Sequence, residues 1–274
     1  MADGAETIVG PVAALWRYPV KSMMGEELSG SDITEQGLVG DRAYALIDPS
    51  SGKVASAKAP RKWGKLFEFR AAYEGEPRAG AKLPPVRITF PDGTTATSEE
   101  PNIERRLSGV FGRDVKLASE PPPKAKYASI PVRVDPEENP EPSVDYPLPN
   151  GFFDLGSLHL LATASLARLR ELYPQGQFDV RRFRPNIVVR TPEGEAGFVE
   201  NGWIGQTLAI GDEVLIRVMS PTVRCVMTTL AQSELPADPG VLRAAAQHNQ
   251  ANVGVYALVV QGGTVRLGDE VRVS

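Results

Sequence analysis

One cysteine, Cys225, and two histidines, His159 and His248, are all that 274 residues contain of those types. A lone thiol excludes an internal disulfide and any all-cysteine metal site within one chain. It also leaves too few ligands for an iron–sulfur cluster. Two histidines without an HExxH spacing argue against a zinc hydrolase. A Cys–His nucleophilic pair stays open, because such partners meet in space rather than along the chain. No GxGxxG follows a strand pattern, and neither GxxxxGK[ST] nor GxSxG occurs, so dinucleotide, P-loop and nucleophile-elbow chemistry are without support. No apolar run approaches a membrane span. The N-terminal ten residues carry acids where a secretory signal carries bases, so a cytosolic protein is expected. A net charge of −4 is not what wholesale binding to nucleic acid or an anionic membrane needs.

Proline (24) and glycine (26) are plentiful and punctuate short β-type runs, which favours a strand-rich fold over a helical bundle. Strands are expected at Val12–Tyr18, Leu28–Thr34, Arg42–Ile47, Lys65–Tyr73 and Val86–Phe90. Pro91-Asp92-Gly93 reads as a hairpin turn. A helix is expected over Pro101–Phe111, where Ile103, Leu107 and Val110/Phe111 recur at helical spacing and Gly112 ends it. Residues 119–150 change character. Pro121-Pro122-Pro123 and the acidic, proline-rich stretch Asp135–Pro149 read as an irregular linker, partly disordered.

Beyond it, a strand at His159–Leu161 runs into a helix capped by Thr163, with Leu166, Leu169, Leu172 and Tyr173 on its apolar face. Strands follow at Asn186–Arg190, Thr207–Ile210, Val214–Met219, Val226–Leu230, Val253–Gln261 and Val265–Val273, with a short helix near Val241–Gln247. The expected class is mainly β with a few helices (α+β), including a partly closed barrel. Three segments are drawn: 1–118, a linker at 119–150, and 151–274.

The most informative segment is Ser220-Pro221-Thr222-Val223-Arg224-Cys225, a proline-containing loop that leads an arginine and the cysteine into an apolar run. A neighbouring guanidinium raises thiolate character, and thiolate is a soft metal ligand. Taken alone, Cys225 reads first as a small buried hydrophobe. Its company weighs against that. Arg181-Arg182-Phe183-Arg184-Pro185-Asn186, Lys21-Ser22, Gly40-Asp41-Arg42 and Ser56-Ala57-Lys58 put cations and donors at the ends of turns, as anion binding requires.

In order along the chain, these segments resemble proteins with a MOSC domain, the domain named for the C-terminal part of molybdenum cofactor sulfurase. Trp16-Arg17-Tyr18-Pro19-Val20-Lys21-Ser22 and Gly37-Leu38-Val39-Gly40-Asp41-Arg42 resemble that family's N-terminal β-barrel-like module. His159–Leu166, Arg184-Pro185-Asn186, Arg224-Cys225 and Gly268-Asp269-Glu270-Val271 resemble the MOSC domain itself. The family pattern departs at two places: Ser56-Ala57-Lys58 stands where Thr-x-Arg is common, and Ser-Pro-Thr-Val precedes Arg224 where proline often stands directly before the arginine.

The resemblance implies a MOSC-type barrel packed on an N-terminal β-barrel-like lobe, with molybdopterin in the cleft between them. It implies that Cys225 is the molybdenum ligand and the catalytic residue. It carries cofactor contact over to Lys21, Ser22, Arg42, Arg184 and Asn186, and further to Lys58, Arg182, Ser165, Thr222 and Arg224. The implied activity is that of the amidoxime-reducing type: a molybdenum cofactor-dependent oxidoreductase that removes oxygen from N-hydroxylated small molecules. Without a nicotinamide fingerprint or an iron–sulfur cluster, its electrons would come from a separate reductase or ferredoxin-like protein. The alternative is a carrier of sulfur or of the cofactor, with Cys225 as persulfide or thiolate. At superfamily level the resemblance also extends to pyridoxal phosphate binding.

Overall fold

The computed structural model describes residues 7–130, 144–148 and 151–273. Its centre is a closed barrel of seven strands. Around the barrel run Leu158–Ala162, Asn252–Gln261, Val214–Val223, Thr207–Ile210, Glu270–Val273, Thr7–Arg17 and Ile187–Val189, and the last closes on the first. Val214, Ile216 and Val218 alternate into the barrel, opposite Val255 and Ala257 of the neighbouring strand. That period of two is the mark of a strand with one face buried.

Leu158–Ala162 and Ile187–Val189 are buried along their whole length and pair in parallel, Leu160 opposite Ile187. Parallel neighbours need a crossover, and the helix Thr163–Leu172 supplies it, covering the outer face of the strands with a second helix, Pro239–Asn249. This explains why both strands read as continuous apolar runs rather than as alternating ones. Thr163 is the first helical residue rather than the cap; its hydroxyl accepts from Thr191 N at 3.0 Å and so ties the helix start to the loop after Val189.

The first lobe contains smaller sheets. One joins Lys116–Ala118, Ala45–Asp48, Lys53–Val54, Lys126–Ser129 and Val144–Pro147; another joins Arg70–Tyr73, Val86–Thr89 and Thr95–Thr97. The helix Ile103–Phe111 packs on the second through Ile103 and Leu107, and Gly112 at φ 63° ends it.

Strand pairing crosses the segment limits drawn from sequence. Thr7–Arg17 is a wall of the barrel formed mostly by residues after 157, Gly263–Arg266 pairs with Gly30–Thr34, and two strands of the 119–150 stretch join the first-lobe sheet. Positions 131–143 and 149–150, on which much of the expected disorder falls, lie outside the described residues.

Four local expectations need correction. Lys65–Tyr73 is a 3-10 turn (Gly64–Glu68) followed by a strand from Arg70, because Leu66 and Phe67 both pack inward, which alternation forbids. Val226–Leu230 is likewise a 3-10 turn, Val226–Thr229. The Arg42–Ile47 strand begins only at Ala45, since Arg42 has φ 48° and cannot lie in a strand. Val265–Val273 is two strands in two sheets, separated at Gly268 (φ 89°).

Candidate functional site

A cleft lies where the barrel meets the first lobe. Lys21, Ser22, Arg42 and Lys58 line it from the first lobe; His159, Arg184, Asn186, Arg224, Cys225 and Tyr256 line it from the barrel. Phe153 and Asp154, from the segment that enters the barrel, also line it, and Phe152 contributes although its ring is buried in a first-lobe cluster. Beneath Cys225, the side chains of Met24, Ala57, Phe67 and Met227 form a small apolar cluster between the lobes.

The backbone is bent to aim these groups. Ser22 (φ 65°), Arg42 (φ 48°) and Arg184 (φ 54°) all sit in the left-handed region that non-glycine residues seldom adopt. Arg184 does so as the residue that ends the short helix Val180–Phe183. Its guanidinium donates to Met23 O at 2.7 Å and lies over the Tyr18 ring, 4.1 Å from the centroid. Arg42 lies against the same ring at 4.7 Å and donates to Asp41. Asp41 is a hub: it also accepts from Tyr18 N at 2.8 Å and from Asn186 Nδ2 at 2.9 Å. Asn186 in turn donates to Trp16 O at 3.3 Å and accepts from His159 N at 3.1 Å, so its amide is used up in joining the lobes.

Cys225 opens the 3-10 turn Val226–Thr229, and its carbonyl accepts from Thr228 N at 3.1 Å and Thr228 Oγ1 at 3.0 Å. Arg224 is anchored by its backbone to Ala251 O at 2.7 Å and by its guanidinium to Phe183 O at 2.7 Å, yet its buried Nε has no partner. Five cationic side chains and one carboxylate line the cleft. Burial pulls the Lys21 ammonium down to about 8 against the opposing pull of Asp154. Burial likewise lowers Arg184 to about 10, with the Arg42 charge adding to it. Burial would lower Lys58 too, but the Asp154 carboxylate and the nearby Cys225 hold it above the ordinary lysine value. Burial keeps His159 neutral; Nδ1 then donates to Arg184 O at 3.3 Å, and Nε2 is left buried without a partner.

Eight of the residues singled out from sequence therefore meet in one cleft: Lys21, Ser22, Arg42, Lys58, Arg184, Asn186, Arg224 and Cys225. Three lie outside its lining. Arg182 is fully buried and gives its guanidinium to Gln177 O, Thr228 O, Leu230 O and Pro236 O at 2.7–3.2 Å. Those bonds hold the turn after Cys225 rather than a ligand. Ser165 donates to the buried Glu200 behind the barrel wall. Thr222 is buried at 1% exposure with its hydroxyl unpaired. Asp154 and Tyr256 are not legible from sequence, since each is an isolated residue with no cation or cysteine beside it in the chain; Tyr127 follows Lys126, but that pair lies in the stretch read as a linker. The Phe152-Phe153-Asp154 run, a few residues ahead of the apolar strand Leu158–Ala162, is the one available hint.

Among the described residues no group of three or more His, Cys, Asp or Glu side chains is arranged to hold a metal ion. No helix among them is long and apolar enough to cross a membrane.

Comparison with known proteins bears on the family of the chain. Residues 9–110 match the MOSC N-terminal beta barrel domain and residues 151–272 match the MOSC domain. Mitochondrial amidoxime-reducing component 1 of Homo sapiens is 26% identical over 294 aligned positions, covering 96% of this chain and 82% of the relative. Mitochondrial amidoxime reducing component 2 of Rattus norvegicus is 27% identical, covering 96% and 83%. Among solved structures, the YUAD protein from Bacillus subtilis aligns over 97% of this chain and 96% of its own, at 11% identity and a TM-score of 0.49. With both domains matched one after the other along the sequence, the chain belongs to the MOSC-domain proteins, as one that carries the MOSC N-terminal beta barrel domain ahead of the MOSC domain.

Proposed function

We propose that the protein is a molybdenum cofactor-dependent oxidoreductase that reduces N-hydroxylated small molecules, with Cys225 as the protein's ligand to the metal. The observation that carries this is the sole cysteine opening into a cleft lined by five cationic side chains. A metal held there has one protein thiolate and must complete its coordination from an organic cofactor. Molybdopterin, an anionic phosphate monoester with a polar pterin, suits that donor set. Lysine and arginine answer its phosphate, and the unpartnered Arg224 Nε and His159 Nε2 offer a donor and an acceptor to its pterin.

When bound, the cofactor supplies two-electron removal of oxygen from nitrogen. The chain's own residues do the rest. Arg42, Arg184 and Arg224 hold and orient the anionic group, and the Met24, Phe67 and Met227 cluster keeps water from the cysteine's inner side. The reaction consumes two electrons and two protons per N–OH reduced to N–H and water. No nicotinamide fingerprint or iron–sulfur ligand set is present in the sequence, so the electrons come from a separate donor protein. The relatives' printed names, amidoxime-reducing components, support the same substrate class.

The test is to express the chain in a host that makes the cofactor and to measure molybdenum and pterin per chain. An amidoxime and an artificial reductant are then supplied. We expect near-stoichiometric metal and turnover that vanishes in Cys225→Ala. Absence of molybdenum from such a host would overturn the proposal. Metal without turnover, together with a trappable persulfide on Cys225, would favour a sulfur or cofactor carrier instead.

A further inference from the structure

We propose that Asp154 is an internal anion that occupies the seat formed by Lys21 and Lys58, so that an incoming phosphate-bearing ligand binds by displacing this carboxylate. The inference deepens the function proposed above and rests on that reading for the ligand's identity; the competition itself is a property of the chain.

Lys21 and Lys58 belong to different turns of the first lobe, yet they converge on the two oxygens of one carboxylate, Lys21 Nζ to Oδ1 at 2.5 Å and Lys58 Nζ to Oδ2 at 2.9 Å. Both ammoniums also lie near one aromatic ring, at 5.2 and 4.9 Å from the centre of Tyr127. Two cations this close and this buried, with side chains 6% and 16% exposed, repel each other unless an anion stands between them. In this structure the chain supplies that anion. Burial would raise the Asp154 carboxyl, but the two lysine charges outweigh it and hold the acid ionised far below the usual carboxylate range.

The segment that carries Asp154 is built to let go. Residues 151–156 belong to no helix or extended strand, and glycines stand at both ends of the stretch. Gly151 has φ 58°, and the Leu155 side chain is 68% exposed. Phe152 anchors the segment, by its buried ring and by its carbonyl, which accepts from Lys21 Nζ at 2.7 Å. Asp154 lies at the rim, so its carboxylate can turn to water without crossing the core. A phosphate monoester brings close to two negative charges and three acceptor oxygens to the same two ammoniums, where the carboxylate brings one charge and two oxygens. Exchange therefore favours the ligand, at an apparent affinity scaled down by the small fraction of time the seat stands open.

The test uses the full-length chain from a host that cannot make molybdopterin, with inorganic phosphate as the probe, titrated by calorimetry at pH 7. Asp154→Asn should bind phosphate at least tenfold more tightly than the natural chain, and Lys58→Ala in the Asp154→Asn background should abolish the gain. Equal or weaker binding by Asp154→Asn overturns the proposal. Should that variant fail to fold, hydrogen exchange on the natural chain decides. Saturating phosphate should speed exchange of the 151–156 amides, and unchanged or slower exchange overturns the proposal. Neither readout involves metal or turnover, so the competition can fail while the oxidoreductase reading stands, and the reverse.

Discussion

Asn186 Nδ2 and Asp41 Oδ2 lie 2.9 Å apart in a buried hydrogen bond that joins the barrel to the first lobe. Because Asp41 also accepts from Tyr18 N and Arg42, the bond couples the lobe interface to the aim of a cleft arginine. Asn186→Asp would set two carboxylates against each other in the same space, while keeping shape and volume. We expect the variant to lose about 3 kcal/mol or more at pH 7, as for a buried charge left opposed. Acid should relieve the repulsion, so the gap in unfolding midpoint between the natural chain and the variant should narrow from pH 7 toward pH 4. A gap that is constant with pH would show that shape, not charge, set the loss.

Arg182 is a positioning residue. Its guanidinium satisfies four carbonyls, two of which, Thr228 O and Leu230 O, belong to the stretch just after Cys225. A lysine keeps the charge but cannot present the planar fork. Arg182→Lys is therefore expected to cost about 2–4 kcal/mol, since several buried carbonyls lose their donors. Metal content should fall together with the folded fraction and not ahead of it. Chemical denaturation followed beside metal analysis separates the two, because loss of metal from fully folded Arg182→Lys would assign the residue to ligand contact instead.

Glu200 is fully buried, accepting from Gly254 N at 2.9 Å and from Ser165 Oγ. Burial raises its pKa, more than those hydrogen bonds lower it. A carboxyl raised in the folded state is favoured in its protonated form. Its contribution is thus complete below the unfolded pKa and is lost as pH rises through the folded one. Glu200→Gln removes the titration and keeps an acceptor for Gly254 N. The natural chain should lose stability relative to Glu200→Gln as pH rises from 4 to 7, measured by urea denaturation at each pH. Glu200→Ala should be worse at every pH, by about 2–4 kcal/mol, from the cavity and the stranded donors.

The barrel was largely legible because its strands alternate or run continuously apolar, and Val214–Val223 and Asn252–Gln261 show that directly. What sequence reading missed was local curvature. Phe67 beside Leu66 packs inward only on a 3-10 turn, and periodicity over four residues cannot distinguish that from a strand end. At the site, adjacency in the chain misled where space decides. Arg182, between two other arginines, turns inward to carbonyls, while Arg184 two positions on reaches the cleft because the left-handed backbone at its own position redirects it. Asp154 had no cationic neighbour in sequence, and its two lysines come from more than ninety positions away.

The pH response of Lys21 offers the last check. Its folded pKa of about 8 lies below the ordinary value of 10.5, because burial outweighs the pull of Asp154. Between those values the unfolded chain binds a proton that the folded chain does not. Stability from this group is therefore present above 10.5 and is lost as pH falls through about 8. Below pH 8 the seat holds two ammoniums; above it, Lys21 becomes neutral and Lys58 alone remains charged. Anion affinity should consequently fall as pH rises from 7 to 9, by about tenfold for the lost charge contact. Carbon NMR of labelled lysine side chains should find one lysine titrating near 8 and should lose that transition in Lys21→Met. Titration of every lysine near 10.5 would instead mean that burial does not outweigh the Asp154 charge at Lys21.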